Sequence, residues 1–139
     1  MRTISDFKNS NSIKNESTSS EKNVTSMFSK LFESRDFAHY AHLKSKSYAE
    51  HKALGSFYEE IIELADTFYE TYAGQYGQVS FNLSSTPKDS NVISYMENLG
   101  KTLADGHSLL EKNDTHLHNI LDEIVGLIYQ TCYKLKYLK

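Results

Sequence analysis

The sequence predicts an all-α protein, an up-down four-helix bundle of residues 26–139 behind a polar, flexible N-terminal arm of residues 1–25. Three observations predict it. Apolar residues recur at i, i+3 and i+4 from Met27 onward. The breaks between periodic stretches carry helix-capping chemistry. The helical pattern lapses at Gln78–Ser85, a loop or short extended piece, and resumes after it. The 139 residues allow one domain.

The arm is rich in Ser, Thr, Asn and Lys, and its large apolar residues are Ile4, Phe7, Ile13 and Val24. So few cannot offset the entropy of ordering that stretch. The stretch is expected to be a disordered tail; the alternative is an arm whose Ile4, Phe7 and Ile13 dock on a neighbouring subunit or another protein.

The first helix opens on Met27, Phe28, Leu31 and Phe32 and continues through Ala38, Ala41 and Leu43. Lys44–Ser47 is a polar break in which Ser45 or Ser47 can cap the next helix. That second helix spans Tyr48 to Tyr72 with Leu54, Phe57, Ile61, Leu64, Ala65 and Phe68 on its apolar face, and Gly74 and Gly77 end it. Thr86-Pro87 starts the third helix, as cap and first helical residue. Its buried line is Ile93, Met96, Gly100, Leu103, His107 and Leu110. Asn113-Asp114 caps the fourth, whose stripe is Leu117, Leu121, Ile124, Ile128, Leu135 and Leu138. The loops between the first and second helices and between the second and third bound a bundle of antiparallel neighbours.

Composition excludes several classes of function. A net charge of −3, with both signs interspersed, offers no basic field for nucleic acid. The single Cys132 excludes an internal disulfide framework. No apolar run approaches the roughly 20 residues of a membrane span, and no signal-peptide pattern follows Met1, so a cytoplasmic protein is expected. There is no Ser/His/Asp or Cys/His arrangement and no glycine-rich phosphate loop. The ten tyrosines form no motif and are expected at helix edges and subunit contacts.

Histidines and carboxylates are the remaining chemistry. With His51 at zero, Asp66 falls at about 60° and Glu70 at about 100° on the second helix, away from an apolar face near 270°. That stripe, with Glu59 and Glu63, points out of its own bundle; it reads as an ordinary solvated acidic face, or as a metal site that needs ligands from a second chain. His39 and His42, at i and i+3, can share a metal or divide into one satisfied and one exposed histidine. His107 is expected as a core histidine. His116 and His118 lie too far apart around a helix to chelate one ion together.

The pair His39-Tyr40, then His51, then Asp66 and Glu70, resembles the mini-ferritins of the Dps type within the ferritin-like superfamily. In that family a His-Trp pair ends one helix, a second His opens the next, and an Asp-x-x-x-Glu lies further along it. Asn113-Asp114-Thr115 and Ile120–Ile124 are similar to the family's last helix, and the resemblance covers about Ser26 to Leu138. The pieces Ala38-His39-Tyr40-Ala41-His42-Leu43 and Phe57-Tyr58-Glu59 are also similar to those of short phage-encoded proteins.

The resemblance implies a homo-oligomer that binds iron between His39 and His51 of one chain and Asp66 and Glu70 of another, with ferroxidase-like oxidation. Where the family carries a carboxylate four residues after the second histidine, this chain has Gly55. Glu59, one turn on, is the substitute ligand, so one ion per site and slow or absent oxidation are expected. Tyr40 replaces the tryptophan, and the arm lacks the lysine richness of the family's DNA-binding tails, so nucleic acid is not an expected partner. The alternative function is a non-catalytic structural or interaction protein, such as a virion component or a host-directed factor.

Overall fold

The computed structural model describes residues 4–83 and 91–139, and side chains from Val24 onward within that range. The expected cap at Thr86-Pro87 and the docking of Ile4, Phe7 and Ile13 fall outside what is described. The described residues form four α-helices: α1 (Ile4–Lys44), α2 (Tyr48–Tyr76), α3 (Val92–Asp105) and α4 (Thr115–Tyr137). A short 3₁₀ turn, Gly106–Leu109, continues directly from α3. No described residue is in a strand, and no described helix is long and apolar enough to cross a membrane.

Helix ends obey local chemistry. Ser47 is extended, and its hydroxyl accepts from the Glu50 amide, closing the first turn of α2. At the other end α2 runs through Gly74 and stops at Gly77, whose φ of 96° is open to glycine and strained for other residues. The expected end near Tyr72 is therefore one turn short. Asn91 caps α3 through the Ser94 amide. α1 runs unbroken from Ile4 into the apolar-periodic stretch. Val24, read from sequence as part of the arm, is 4% exposed and belongs to the core.

The core is one cluster drawn from all four helices. Phe28, Leu54, Phe57, Ile61, Phe68, Met96, Leu103, Leu117, Leu121 and Ile124 are fully buried. Each side chain of this size contributes about 1.5–3 kcal/mol when withdrawn from water. Phe28 is an aromatic hub, with the rings of Phe68, Tyr69, Tyr72 and Phe81 at centroid distances of 5.2–5.8 Å.

Around the bundle α1 packs on α2, α2 on α4, and α4 on α3, and a thinner seam joins α3 back to α1. Neighbours run antiparallel. Tyr76, at the end of α2, bonds Asp114 at the start of α4. Phe37, late in α1, stacks on Tyr95 at the start of α3 with centroids 3.8 Å apart. α2 and α3 are thus diagonal and parallel. The expectation that each helix packs on its successor fails at this step: a chain segment has to return the length of the bundle between them. Its described part, Gly77–Leu83, starts back along α1 and α2, where Val79 accepts from the Tyr69 hydroxyl and Phe81 stacks on Phe32.

Candidate metal centre

The α1–α2 turn gathers three histidines. His42, on the last turn of α1, and His51, on the first turn of α2, bond each other's backbone. Nδ1 of His42 lies 2.6 Å from the His51 carbonyl oxygen, and Nδ1 of His51 lies 2.9 Å from that of His42. A carbonyl only accepts, so both Nδ1 atoms carry hydrogen, and in the neutral rings both Nε2 atoms carry lone pairs. The rings are 3.7 Å apart and nearly parallel. His39 stacks on Tyr58 at 4.4 Å, and its ring centre is 6.3 Å from that of His42. A backbone acceptor behind each imidazole is the arrangement that fixes the tautomer of metal-ligating histidines.

Gly55 lies under this group. A Cβ there would sit 3.1 Å from Cε1 and 3.2 Å from Nδ1 of His42. The His42 imidazole therefore fills the space where a carboxylate at position 55 would project. Sequence reasoning placed His42 only as a partner of His39, because its contact with Gly55 joins two helices.

The expected carboxylate ligands lie elsewhere. Glu59, Asp66 and Glu70 are all exposed on α2. Asp66 and Glu70 are 15 and 19 residues beyond His51, about 22 and 28 Å along the helix axis. Within one chain the histidine turn and these two carboxylates do not meet. Among the described residues, no group of three or more His, Cys, Asp or Glu is arranged to hold a metal ion.

The opposite end of the bundle carries a second polar network. Asp114, 8% exposed, accepts from Gln75 Nε2 at 2.9 Å and from the Tyr76 hydroxyl. These bonds hold its carboxyl below the usual aspartate range, and the same carboxylate pushes the Tyr76 phenol up to about 12. Asp114 sits at the N-cap position of α4, as expected, yet its side chain makes no cap bond there. It is committed to α2 instead. His116 Nε2 donates to the Gln75 side-chain oxygen at 2.7 Å.

His107 departs from its expected role. It lies on the 3₁₀ turn rather than on the buried line of α3, is 31% exposed, and contacts Asp122 at 2.8 Å. Its Nδ1 faces that of His118 at 2.7 Å. Leu138 also departs from its stripe, half-exposed beyond the end of α4.

On the α1–α3 seam, Glu33 is 7% exposed, accepts from the Tyr95 hydroxyl at 3.1 Å and faces Lys30 at 3.7 Å. Burial and the adjacent carboxylate push the Tyr95 phenol well above its ordinary value.

These features define an all-helical bundle with a histidine-rich turn and outward carboxylates. The chain belongs to the family described as "Family of unknown function (DUF5856)", which matches residues 42–135. It is similar to the "Uncharacterized 14.6 kDa protein in mobD-ri intergenic region" of Enterobacteria phage T4. The two are 28% identical over 105 residues, covering 76% of this chain and 81% of that protein. No solved structure matches.

Proposed function

We propose that this protein is a ferritin-like, metal-binding homo-oligomer whose site is assembled between two chains. His39 and His51 of one chain, with His42 beside them, face Asp66 and Glu70 of the other, and Glu59 lies near the symmetry axis. The observation that carries this reading is the connectivity. The diagonal, parallel placement of α2 and α3, with every neighbour antiparallel, supports the reading, because ferritin-like bundles join two such helices by one long crossover.

The register supports it. In an antiparallel pairing of two copies of α2, His51 meets Asp66 when the two-fold axis passes near Tyr58 and Glu59, about halfway between them. The same axis serves both sites of the dimer, as an isologous contact requires. The resemblance implies iron as the ion. The residues fit a single divalent ion, held by imidazole and carboxylate. They do not fit an oxidation centre with a carboxylate at position 55, because His42 occupies that space, and no oxidation step is derived. Kinship with a phage T4 protein supports a phage source, with the host cytoplasm or the virion as its place of action.

A structural or interaction module is the second reading. Tyr129, Tyr133 and Tyr137 favour it, an exposed ladder at i, i+4 and i+8 on α4. The test is anaerobic Fe(II) titration with elemental analysis and thermal melts. A ferritin-like site binds one ion per chain and raises the melting temperature by mass action. The rise is lost in His51→Ala and Asp66→Asn. A metal-independent melt with no bound ion leaves the second reading.

A further inference from the structure

We propose that His107 and His118 form a separate site for a divalent d-block cation of the zinc class, at the opposite end of the bundle from the α1–α2 turn. Both imidazoles are tethered from behind. His107 Nε2 lies 2.8 Å from the Asp122 carboxylate, and His118 Nε2 lies 3.0 Å from the Glu111 carbonyl oxygen. Both acceptors require hydrogen on Nε2, so in the neutral rings both Nδ1 atoms carry lone pairs. Those two atoms face each other at 2.7 Å.

The rings are parallel to within 5°, with centroids 5.0 Å apart. A separation that long for nitrogens that close is reached only when the rings lie edge to edge with the nitrogens facing. Two lone pairs in that position repel unless a positive charge sits between them.

The back-tethers are those of metal ligands. A carboxylate behind one imidazole and a backbone carbonyl behind the other fix tautomer and orientation and raise ligand basicity. Imidazole nitrogen suits zinc, copper, iron and nickel. At Zn–N distances of about 2.0–2.1 Å and a tetrahedral angle, the two nitrogens open to about 3.3 Å. That opening, with some rotation of the rings, is accessible to a half-exposed 3₁₀-turn residue. A recess of about 430 Å³ adjoins the pair, edged by Ser108, Lys112, Thr115 and Asn119, and leaves room for water or an exogenous ligand on the remaining positions. A proton shared between the nitrogens is the competing occupant.

The spacing explains why this pair is hard to find in the sequence. His118 lies 11 residues after His107, across a 3₁₀ turn and a helix start. The closer pair His116 and His118 diverges around α4.

The test is calorimetric titration of the full-length protein with Zn(II) alone. His118→Ala and His107→Ala are expected to lose one ion per chain or to weaken it at least tenfold. Asp122→Asn loosens it about 10–100-fold, the usual effect of removing such a support, while His116→Ala and His51→Ala leave this ion in place. Against misfolding of the variants, the wild-type histidine ¹⁵N resonances are followed as zinc is added, and the Nδ1 signals of His107 and His118 are expected to move. Zinc binding unchanged in His118→Ala overturns the proposal. So does a pair whose Nδ1 signals ignore zinc, which then holds a proton only.

Discussion

The His42 ring lies over Gly55, 3.1 Å from where a Cβ at that position would stand. Two hydrogen bonds between the His42 and His51 residues hold the ring there. The turn between α1 and α2 is thus closed by reciprocal imidazole–carbonyl bonds, and a side chain at position 55 presses on the ring that makes one of them.

Gly55 provides the first test. In a helix interior, Gly→Ala is ordinarily stabilising by about 0.5–1 kcal/mol. Here the added methyl meets a ring that has to shift by a few tenths of an ångström against the bonds that hold it. Gly55→Ala is therefore expected to be neutral or destabilising in the wild-type chain, and to recover the ordinary gain in a His42→Ala background. Urea denaturation of the four proteins in this cycle measures the coupling. Additive effects would show that the ring yields freely.

Tyr95→Phe isolates one hydroxyl. The Phe37 stack survives the change, while the nearly buried Glu33 carboxylate loses a donor. A loss of about 1–3 kcal/mol is expected from leaving that group under-bonded. Glu33→Gln in the Tyr95→Phe background should recover part of it, because an amide is cheaper to bury than a carboxylate. Equal stability of Tyr95→Phe and wild type in urea melts would show that the bond contributes nothing.

Asp114 sets an acid-side dependence. Its folded carboxyl is held below the ordinary aspartate value by Tyr76 and Gln75. The folded state therefore keeps the carboxylate where the unfolded chain has taken up a proton. The stability so gained is present in full above the unfolded aspartate value and is lost as pH falls toward the lowered folded one. Asp114→Asn should lower the melting temperature at neutral pH and flatten its decline on the acid side. Melts from pH 7 down to pH 3 check this, and parallel declines in the two proteins would contradict it.

Much of the secondary structure was legible because it rests on local chemistry. Ser47 caps α2, and Leu117, Leu121, Ile124, Ile128 and Leu135 fall on one stripe because helical period and burial coincide. The failures have tertiary causes. Val24 is buried where the end of α2, at Tyr72 and Tyr76, meets Leu109 and Leu110 at the close of the 3₁₀ turn, which its polar neighbours in sequence do not announce. His107 leaves its buried line because the backbone tightens to 3₁₀ at Gly106, changing the phase. The diagonal placement of α2 and α3 depends on where the return segment runs, and helical periodicity carries no information about that. Of the candidate site residues, the outward position of Glu59, Asp66 and Glu70 was readable from the helical wheel. The place of His42 over Gly55 was not, since it joins two helices.

Subunit mixing tests whether the proposed metal site needs two chains. In a His118→Ala background, which removes the second candidate site, one chain carries His51→Ala and the other Asp66→Asn. Neither homodimer retains an intact site. A mixed dimer places the intact His51 of one chain against the intact Asp66 of the other at one of its two positions. Co-refolding equal amounts of the two should yield mixed dimers that bind one Fe(II) per dimer under anaerobic conditions, with a higher melting temperature than either parent. A mixture that binds no more iron than its parents, or a parental protein that sediments as a monomer at tens of micromolar, would contradict the account.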